Sequence, residues 1–165
     1  MGSEQEDWRA WFREQGPAMV LFARQFARTL ADAEDAVQEG FVRFWRSRAQ
    51  AEDDRAYLYA CVRSAALDQA RGGRRRELRE QSAASERPPA LLACTVEREE
   101  RRQRVEEAMA ALPANQREVL VLKIWGDLTF KQIAALYEIP IDTTASRYRY
   151  ALDALRRRLG EENRP

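Results

Sequence analysis

The sequence contains no histidine in its 165 residues and only two cysteines, Cys61 and Cys94. Histidine is the commonest metal ligand and a frequent general base near neutral pH, so its absence argues against most hydrolytic and metal-dependent enzymes. The two cysteines are too far apart to form a metal-binding knuckle, and they indicate reduced thiols in a cytoplasmic protein. We therefore expect no catalytic residue, no metal and no cofactor.

The chain also lacks long apolar runs and a strong charge of one sign. No stretch reaches transmembrane length, and the N-terminal MGSEQEDW is too acidic for a signal peptide, so we expect no membrane association. Charged residues make up 33% of the chain, yet the formal net charge is only +1. A protein that grips DNA by charge alone would be more basic. Any DNA contact should therefore be local, which leaves room for a second partner that is not DNA.

Residues 112–159 predict two short helices followed by a longer basic helix. Pro113 suits the first position of a helix, where its missing N–H has no partner to lose. Thr129 and Gln132 have the spacing of a capping box at the start of the second helix. Pro140 prevents that helix from running on into the third. The segment thus has the order of a helix-turn-helix unit.

The third of these helices has an apolar face and a polar face, and Asp142 or Thr143 is placed to cap it. The apolar face consists of Tyr148, Ala151, Leu152, Leu155 and Leu159. The opposite face consists of Thr143, Ser146, Tyr150 and Arg157, with Arg147 and Arg149 on its flanks. The second helix of a helix-turn-helix lies in the major groove, which predicts DNA binding here. The alternative is a helical hairpin with a solvated charged face.

The N-terminal half predicts a second helical unit. Gly16-Pro17 is expected to separate a short helix from a longer one, and the next helix is expected to start near Asp32. One face of that next helix carries Val37, Phe41, Phe44 and Trp45. The opposite face carries Asp35, Gln38, Glu39, Val42 and Arg46. The two acids lie one turn apart with no obvious local base, so this face is either simply solvated or a site for a partner.

The middle of the chain predicts a loop, a helix and a linker. Residues 48–54 are polar and read as a loop, and a helix should follow from about Arg55 to Arg71. Gly72-Gly73 is expected to end that helix before a basic run, which either compensates the helix dipole or binds phosphate. Residues 77–95 have the composition of a flexible linker.

The predicted fold class is therefore all-α, with two small helical domains joined by a flexible linker. The predicted boundaries are residues 1–76 for the first domain, 77–95 for the linker and 96–165 for the second domain.

Over nearly its whole length the sequence resembles a known family, the extracytoplasmic function (ECF) sigma factors of bacteria. DAEDAVQEGFVRFWR (residues 32–46) is similar to the family's region two-point-two, which docks on the clamp helices of the RNA polymerase β′ subunit. AYLYACVRSAALDQAR (residues 56–71) is similar to the helix that contacts the melted minus-ten element. LPANQREVLVLKIWGDLTFKQIA and the later TTASRYRYALDALRRRL are similar to region four, which reads the minus-thirty-five element.

The resemblance and the helix faces together give three sets of predicted site residues. The polymerase-binding set is Asp35, Gln38, Glu39 and Val42. The minus-ten set is Gln50, Tyr59, Arg63, Ser64, Arg71, Arg74 and Arg75, and the loop at residues 48–54 matches the family's loop that captures a flipped minus-ten base. The minus-thirty-five set is Thr143, Ser146, Arg147, Arg149, Tyr150 and Arg157.

The sequence departs from the family pattern at several of its motif positions. The departures are Tyr57 for the usual Trp, Ser64 for Asn, Gln132 for Glu, Glu138 for the turn Gly, Thr144 for a buried Val and Tyr150 for a basic residue. They suggest a divergent promoter preference or weaker autonomous binding to DNA.

The resemblance implies a promoter-specificity subunit that is not itself an enzyme. Its implied partners are core RNA polymerase, through the β′ clamp helices and the β flap, together with promoter DNA and an anti-sigma factor. One alternative is a helix-turn-helix regulator whose N-terminal half dimerises, and another is a sigma-like adaptor that recruits polymerase through another protein. A metal site formed by Glu34, Asp35 and Glu39 is a weak alternative, because these residues lie on different sides of one helix.

Overall fold

The computed structural model describes residues 2–77 and 96–161, with side chains described for residues 7–73 and 99–160. Within these ranges the chain is all-α, as predicted. The helices are α1 Gly2–Ala23, α2 Leu30–Ser47, α3 Asp54–Glu77, α4 Val96–Ala110, α5 Ala114–Ile124, α6 Phe130–Tyr137 and α7 Ile141–Glu161. A short 3-10 turn, Arg48–Gln50, lies between α2 and α3. The predicted linker at residues 77–95 lies outside the described residues, apart from Glu77 at the end of α3.

Helix α1 is a single helix, so the break predicted at Gly16-Pro17 is wrong. Pro17 lies inside the helix, where a proline removes one backbone hydrogen bond and crowds the preceding turn. Trp8 and Phe12 before the proline, and Phe22 after it, all pack against the same core. Burial of apolar side chains on both sides of Pro17 therefore keeps the helix continuous across it.

Two other helix ends differ from the prediction. Helix α2 begins at Leu30 rather than near Asp32, because the Thr29 hydroxyl accepts a hydrogen bond from the Asp32 N–H at 3.0 Å and caps the helix. Helix α3 runs through Gly72-Gly73 to Glu77. A glycine commonly ends a helix by adopting a left-handed conformation, and neither glycine has a positive φ, so the helix continues.

Helices α2 and α3 cross in direct backbone contact at Gly40. A Cβ placed on Gly40 would lie 2.6 Å from the Cα atom of Val62. Ala36 on α2 and Ala65 on α3 are also fully buried, and such small side chains allow two helices to approach closely. This crossing fixes the outward face of α2 relative to α3.

The C-terminal helices confirm the capping box. The Thr129 hydroxyl accepts from the Gln132 N–H at 3.1 Å, and the Gln132 Oε1 accepts from the Thr129 N–H at 2.7 Å. Pro113 occupies the N-cap of α5, one residue before the position predicted for it. Helix α7 begins at Ile141, so the predicted caps, Asp142 and Thr143, lie within its first turn instead.

Two departures from the family pattern lie in or just after the turn between α6 and α7. Glu138 adopts the left-handed conformation, with φ 53° and ψ 45°, which glycine adopts at much lower cost. Thr144 is fully buried, and its hydroxyl donates a hydrogen bond to the Pro140 carbonyl at 3.4 Å. The helix-turn-helix therefore forms with a non-glycine residue in its turn.

The N-terminal helices α1–α3 and the C-terminal helices α4–α7 pack against one another. Val121, Leu122 and Ile133 belong to the same buried cluster as Phe22 and Tyr59. Helix α1 contacts α5, and α3 contacts α6. A second, smaller cluster lies within the C-terminal unit and contains Leu112, Leu120 and Ala151. The two units thus share a continuous apolar core in this structure. Across the described ranges, no helix has both the length and the apolar character needed to cross a bilayer.

We predict that Gly40→Ala lowers the free energy of unfolding by about 1–3 kcal/mol, because the added methyl group forces α2 and α3 apart. Gly16→Ala is the matched control, since a Cβ at Gly16 meets nothing within 4 Å and alanine favours the helix by about 0.5–1 kcal/mol. Urea denaturation followed by circular dichroism measures both variants. Equal stability of the two would contradict the close helix crossing.

Candidate nucleic-acid and partner interfaces

The outward face of α2 carries the residues predicted to bind polymerase. Asp35, Gln38, Glu39 and Val42 are all exposed. Val37 and Phe44, on the opposite face, are buried as predicted. Trp45 was predicted on the core face but is 39% exposed, with its ring stacked on Phe41 at a centroid distance of 5.9 Å. The exposed face of α2 therefore combines acidic, amide and apolar groups.

Arg43 links this face of α2 to α3. Its guanidinium donates hydrogen bonds to Glu39 at 2.9 Å, to Asp68 at 2.8 Å and to the Ser64 hydroxyl at 3.2 Å. The bond with Asp68, and then that with Glu39, raise the pKa of Arg43 above its ordinary value. The expectation that Glu39 has no local basic partner is therefore wrong, because Arg43 pairs with its carboxylate.

The loop between α2 and α3 is held at its C-terminal end by Asp53. The Asp53 Oδ1 accepts from the Ala56 N–H at 2.9 Å, which caps α3, and Oδ2 accepts from the Gln132 side chain at 2.7 Å. Desolvation acts to raise the pKa of Asp53, but these hydrogen bonds outweigh it and hold the pKa below its ordinary value. Gln50, the predicted base-contacting residue, is exposed at the end of the 3-10 turn.

Two of the predicted minus-ten residues on α3 are covered in this arrangement. Tyr59 has no exposed surface, and its ring packs edge-on against Phe22 at a centroid distance of 5.5 Å. Desolvation raises the pKa of the Tyr59 hydroxyl, which has no hydrogen-bond partner among the described residues. Arg63 is half-buried, with its guanidinium carbon 5.0 Å from the ring centroid of Tyr137 on α6. The C-terminal unit therefore lies over part of the predicted promoter surface.

The remaining predicted minus-ten residues follow along α3. Ser64 and Arg71 are exposed, and Arg71 lies 3.8 Å from Asp68. Arg74 and Arg75 belong to the helix, but their side chains lie outside the described residues. Ser64, which stands where the family usually has Asn, is occupied by its hydrogen bond from Arg43.

The predicted minus-thirty-five residues all lie on α7 with some exposed surface. Arg149, Tyr150 and Arg157 are exposed, and Thr143, Ser146 and Arg147 are half-exposed. The Arg149 guanidinium lies 5.6 Å from the ring centroid of Tyr150. Ala151, on the opposite face, is fully buried. Helix α7 therefore presents a basic and aromatic outer face above a buried apolar one.

The sequence did not point to Arg43 or Asp53, or to the hydrogen bond that Gln132 donates to Asp53. The Arg43–Glu39 pair has the i, i+4 spacing of a helical ion pair, so a local pattern could have shown it. The Arg43–Asp68 and Gln132–Asp53 contacts join residues 25 and 79 positions apart. No local pattern carries such contacts, because they depend on how the helices pack.

Comparison with known proteins assigns the two units separately. Residues 11–76 match the family described as Sigma-70 region 2, and residues 108–157 match the family described as Sigma-70, region 4. The chain is 26% identical over 152 residues to the ECF RNA polymerase sigma factor RpoE of Cereibacter sphaeroides, covering 90% of this chain and 83% of that protein. It is 29% identical over 157 residues to the ECF RNA polymerase sigma factor SigL of Mycobacterium tuberculosis, covering 93% and 89%.

A solved structure also shows a similar fold. The sigma factor RpoE in its co-crystal structure with the anti-sigma factor NepR from Bartonella quintana matches with a TM-score of 0.69 and 22% sequence identity. The match covers 96% of this chain and 99% of that chain. The helical architecture is therefore shared over almost the full length of both proteins.

We predict that Arg147→Ala weakens binding to a sequence-specific duplex by about 1–3 kcal/mol, the range for losing a bidentate contact to a base. Arg158→Ala is the control, because it removes the same charge at an exposed position near the end of α7. Fluorescence anisotropy with a duplex enriched from a random pool, and with a scrambled duplex, measures both variants. Equal losses on the two duplexes for both variants would show that Arg147 contacts only phosphates.

Proposed function

The chain belongs to the ECF family of RNA polymerase sigma factors, and we propose that the outward face of α2, the loop and helix α3, and helix α7 are its polymerase, minus-ten and minus-thirty-five surfaces. As a member of this family the protein is an alternative sigma factor that directs transcription initiation. It is a specificity subunit of RNA polymerase and not itself an enzyme. The observation that carries the proposed division of labour is the exposed acidic face of α2.

We assign polymerase docking to Asp35, Gln38, Glu39 and Val42. Two carboxylates and an amide suit a basic, hydrogen-bonding partner such as the β′ clamp helices. Val42, which is 42% exposed, offers an apolar contact beside them. Arg43 supports this role, because its ion pair with Glu39 at 2.9 Å favours one position of that carboxylate before the partner binds. A fixed side chain loses less conformational entropy on binding.

We assign minus-ten recognition to the 48–54 loop and to α3. Extruding a base from a duplex costs a few kcal/mol, which the protein must return through stacking and hydrogen bonds. Gln50 is exposed for such a contact, and Arg63 and Arg71 supply positive charge for the separated strand. Tyr59 offers a ring for stacking only if the C-terminal unit moves away from it.

We assign minus-thirty-five recognition to the outer face of α7. Ser146, Arg147 and Arg149 lie in its N-terminal half, which is the part of a recognition helix that meets base edges. Arg157, two turns further on, suits a phosphate. Tyr150 is 54% exposed beside them and offers an aromatic contact where the family usually has a basic residue.

The remaining partners and the location of the protein are also proposals. The RpoE protein of similar fold was crystallised with an anti-sigma factor, which supports an anti-sigma partner for this chain. The resemblance to the family adds the β flap as the polymerase contact of the C-terminal unit. We place the protein in the cytoplasm, because core polymerase and promoter DNA are found there in bacteria.

We predict that Asp35→Lys weakens binding to core RNA polymerase, and that Asp35→Lys with Glu39→Lys weakens it by at least about tenfold, or about 1.4 kcal/mol. Reversed charges would face a basic partner surface with like charge. Glu14→Lys is the control, because Glu14 is exposed on α1 and undergoes the same charge change. Biolayer interferometry with immobilised core polymerase measures the affinities.

Circular dichroism checks that each variant is folded. A folded double variant that binds polymerase as tightly as the unchanged chain would exclude the α2 face as the docking site. An unchanged chain that ignores polymerase but binds DNA as a dimer would favour a helix-turn-helix regulator instead.

A further inference from the structure

The C-terminal unit covers the face of α3 that carries Tyr59. A Cβ placed on Gly126, between α5 and α6, would lie 3.2 Å from the Tyr59 Cζ atom. Cζ bears the hydroxyl, so the polar end of the ring points toward the C-terminal unit. Leu122 and Ile133 of that unit lie in the same buried cluster as the ring. DNA and the C-terminal unit therefore cannot occupy this surface of Tyr59 at the same time.

Polar contacts between the units differ in how well they are shielded from water. Arg55 and Asp127 pair at 3.3 Å, but the Asp127 side chain is 80% exposed, and such surface pairs contribute little. The Gln132–Asp53 hydrogen bond is partly buried and measures 2.7 Å. It ends on a carboxylate, and hydrogen bonds to charged groups are the stronger ones. Arg117 also donates to the Gln25 side chain across the units, at 2.6 Å and partly buried. Gln132–Asp53 is the partly buried contact that joins the C-terminal unit to the loop before α3.

Glutamine is the side chain that this contact requires. The Gln132 Oε1 accepts from the Thr129 N–H in the capping box, while its Nε2 donates to Asp53. A glutamate at this position could fill the capping box equally well. It has no donor when ionised, and it would bring a second carboxylate against Asp53. The glutamine therefore serves both the helix cap and the contact between the units.

From these observations we propose that the C-terminal unit is an intramolecular cover for α3, and that the Gln132–Asp53 hydrogen bond is the latch of this closed form. The inference rests on the proposed role of α3 in promoter opening. A ligand that needs the open form binds the free protein with an affinity reduced by the fraction of open molecules. The latch therefore limits promoter contact until the units separate.

The closed form is tested directly by the distance between the units in the full chain. Spin labels are placed at Arg13→Cys on α1 and Lys131→Cys on α6, both exposed, in a Cys94→Ser background with buried Cys61 retained. Double electron–electron resonance should show one short-distance population for the otherwise unchanged protein. Gln132→Glu should remove at least about half of that population. Circular dichroism should stay unchanged, because the capping box is kept.

A reversed pair provides the rescue. With Gln132→Glu in place, Asp53→Asn puts an amide donor opposite the new carboxylate, while the remaining carbonyl oxygen can still accept from the Ala56 N–H. The double variant should recover the short-distance population. Asp127→Asn is the matched control, because it removes the charge of the exposed pair with Arg55. Asparagine tolerates the positive φ at that position. The distance distribution of this variant should match that of the unchanged protein.

Binding to core polymerase gives the functional consequence. Gln132 lies outside the residues assigned to polymerase or DNA binding, so its substitution leaves those surfaces unchanged. Because opening exposes α3, Gln132→Glu should increase the apparent affinity for core polymerase, measured in the presence of a single-stranded 20-mer of mixed sequence, by at least about threefold. An unchanged affinity in a variant that has opened would overturn the inhibitory role.

The remaining outcomes concern the closed form itself. Units already separated in the unchanged protein would overturn the closed form. The latch assignment would be overturned if Asp127→Asn opened the protein as much as Gln132→Glu does. It would also be overturned if Asp53→Asn failed to restore the short distance in the Gln132→Glu variant. The distance measurements need no polymerase, so they decide the closed form even if the proposed docking surface is wrong.

Discussion

The crossing of α2 and α3 at Gly40 is the constraint on which both N-terminal surfaces depend. With the backbones in contact at Val62, the outward face of α2 and the exposed edge of α3 become two sides of one rigid pair. Arg43 can then reach Asp68 and Ser64 on α3 while it holds Glu39 on α2. The proposed polymerase and promoter surfaces are therefore connected through Arg43, because a shift of α3 relative to α2 would disturb its contacts with Glu39, Ser64 and Asp68.

Local patterns in the sequence were enough for the all-α class, the two faces of α2 and the capping box at Thr129. Each of these depends on residues within one or two helical turns. Pro17 and Gly72-Gly73 led to wrong predictions of helix ends. Packing on both sides of Pro17 keeps α1 continuous, and Gly72 and Gly73 keep a right-handed backbone, so α3 continues through them. The burial of Tyr59 could not be predicted, since it depends on helices far along the chain.

The departures from the family pattern are explained to different degrees by the structure. Glu138 adopts a left-handed backbone at a cost of about 1–2 kcal/mol. Thr144 replaces an apolar residue in a buried position, and the Pro140 carbonyl satisfies its hydroxyl. Gln132 is different, because it adds a contact that the usual glutamate would lose. A hydrogen bond thus satisfies Thr144, Glu138 bears the cost of its backbone conformation, and Gln132 supplies a contact between the units.

The contact between the units combines a shared apolar core with polar terms of both signs. Burying apolar surface of a ring the size of Tyr59 contributes about 1.5–3 kcal/mol, but leaving its hydroxyl without a partner costs about 1–3 kcal/mol. Part of that burial comes from Phe22 within the N-terminal unit, so Tyr59 adds little net stability to the closed form. A hydrogen bond to a charged group contributes about 1.5–3 kcal/mol, so the bond from Gln132 to Asp53 adds a term as large as the burial of one apolar side chain. A larger partner can reverse this contact if it favours the separated units by more than the contact contributes. In the proposed closed form, the same surface of α3 is covered in the free protein and would be exposed on promoter binding without any change to either helix.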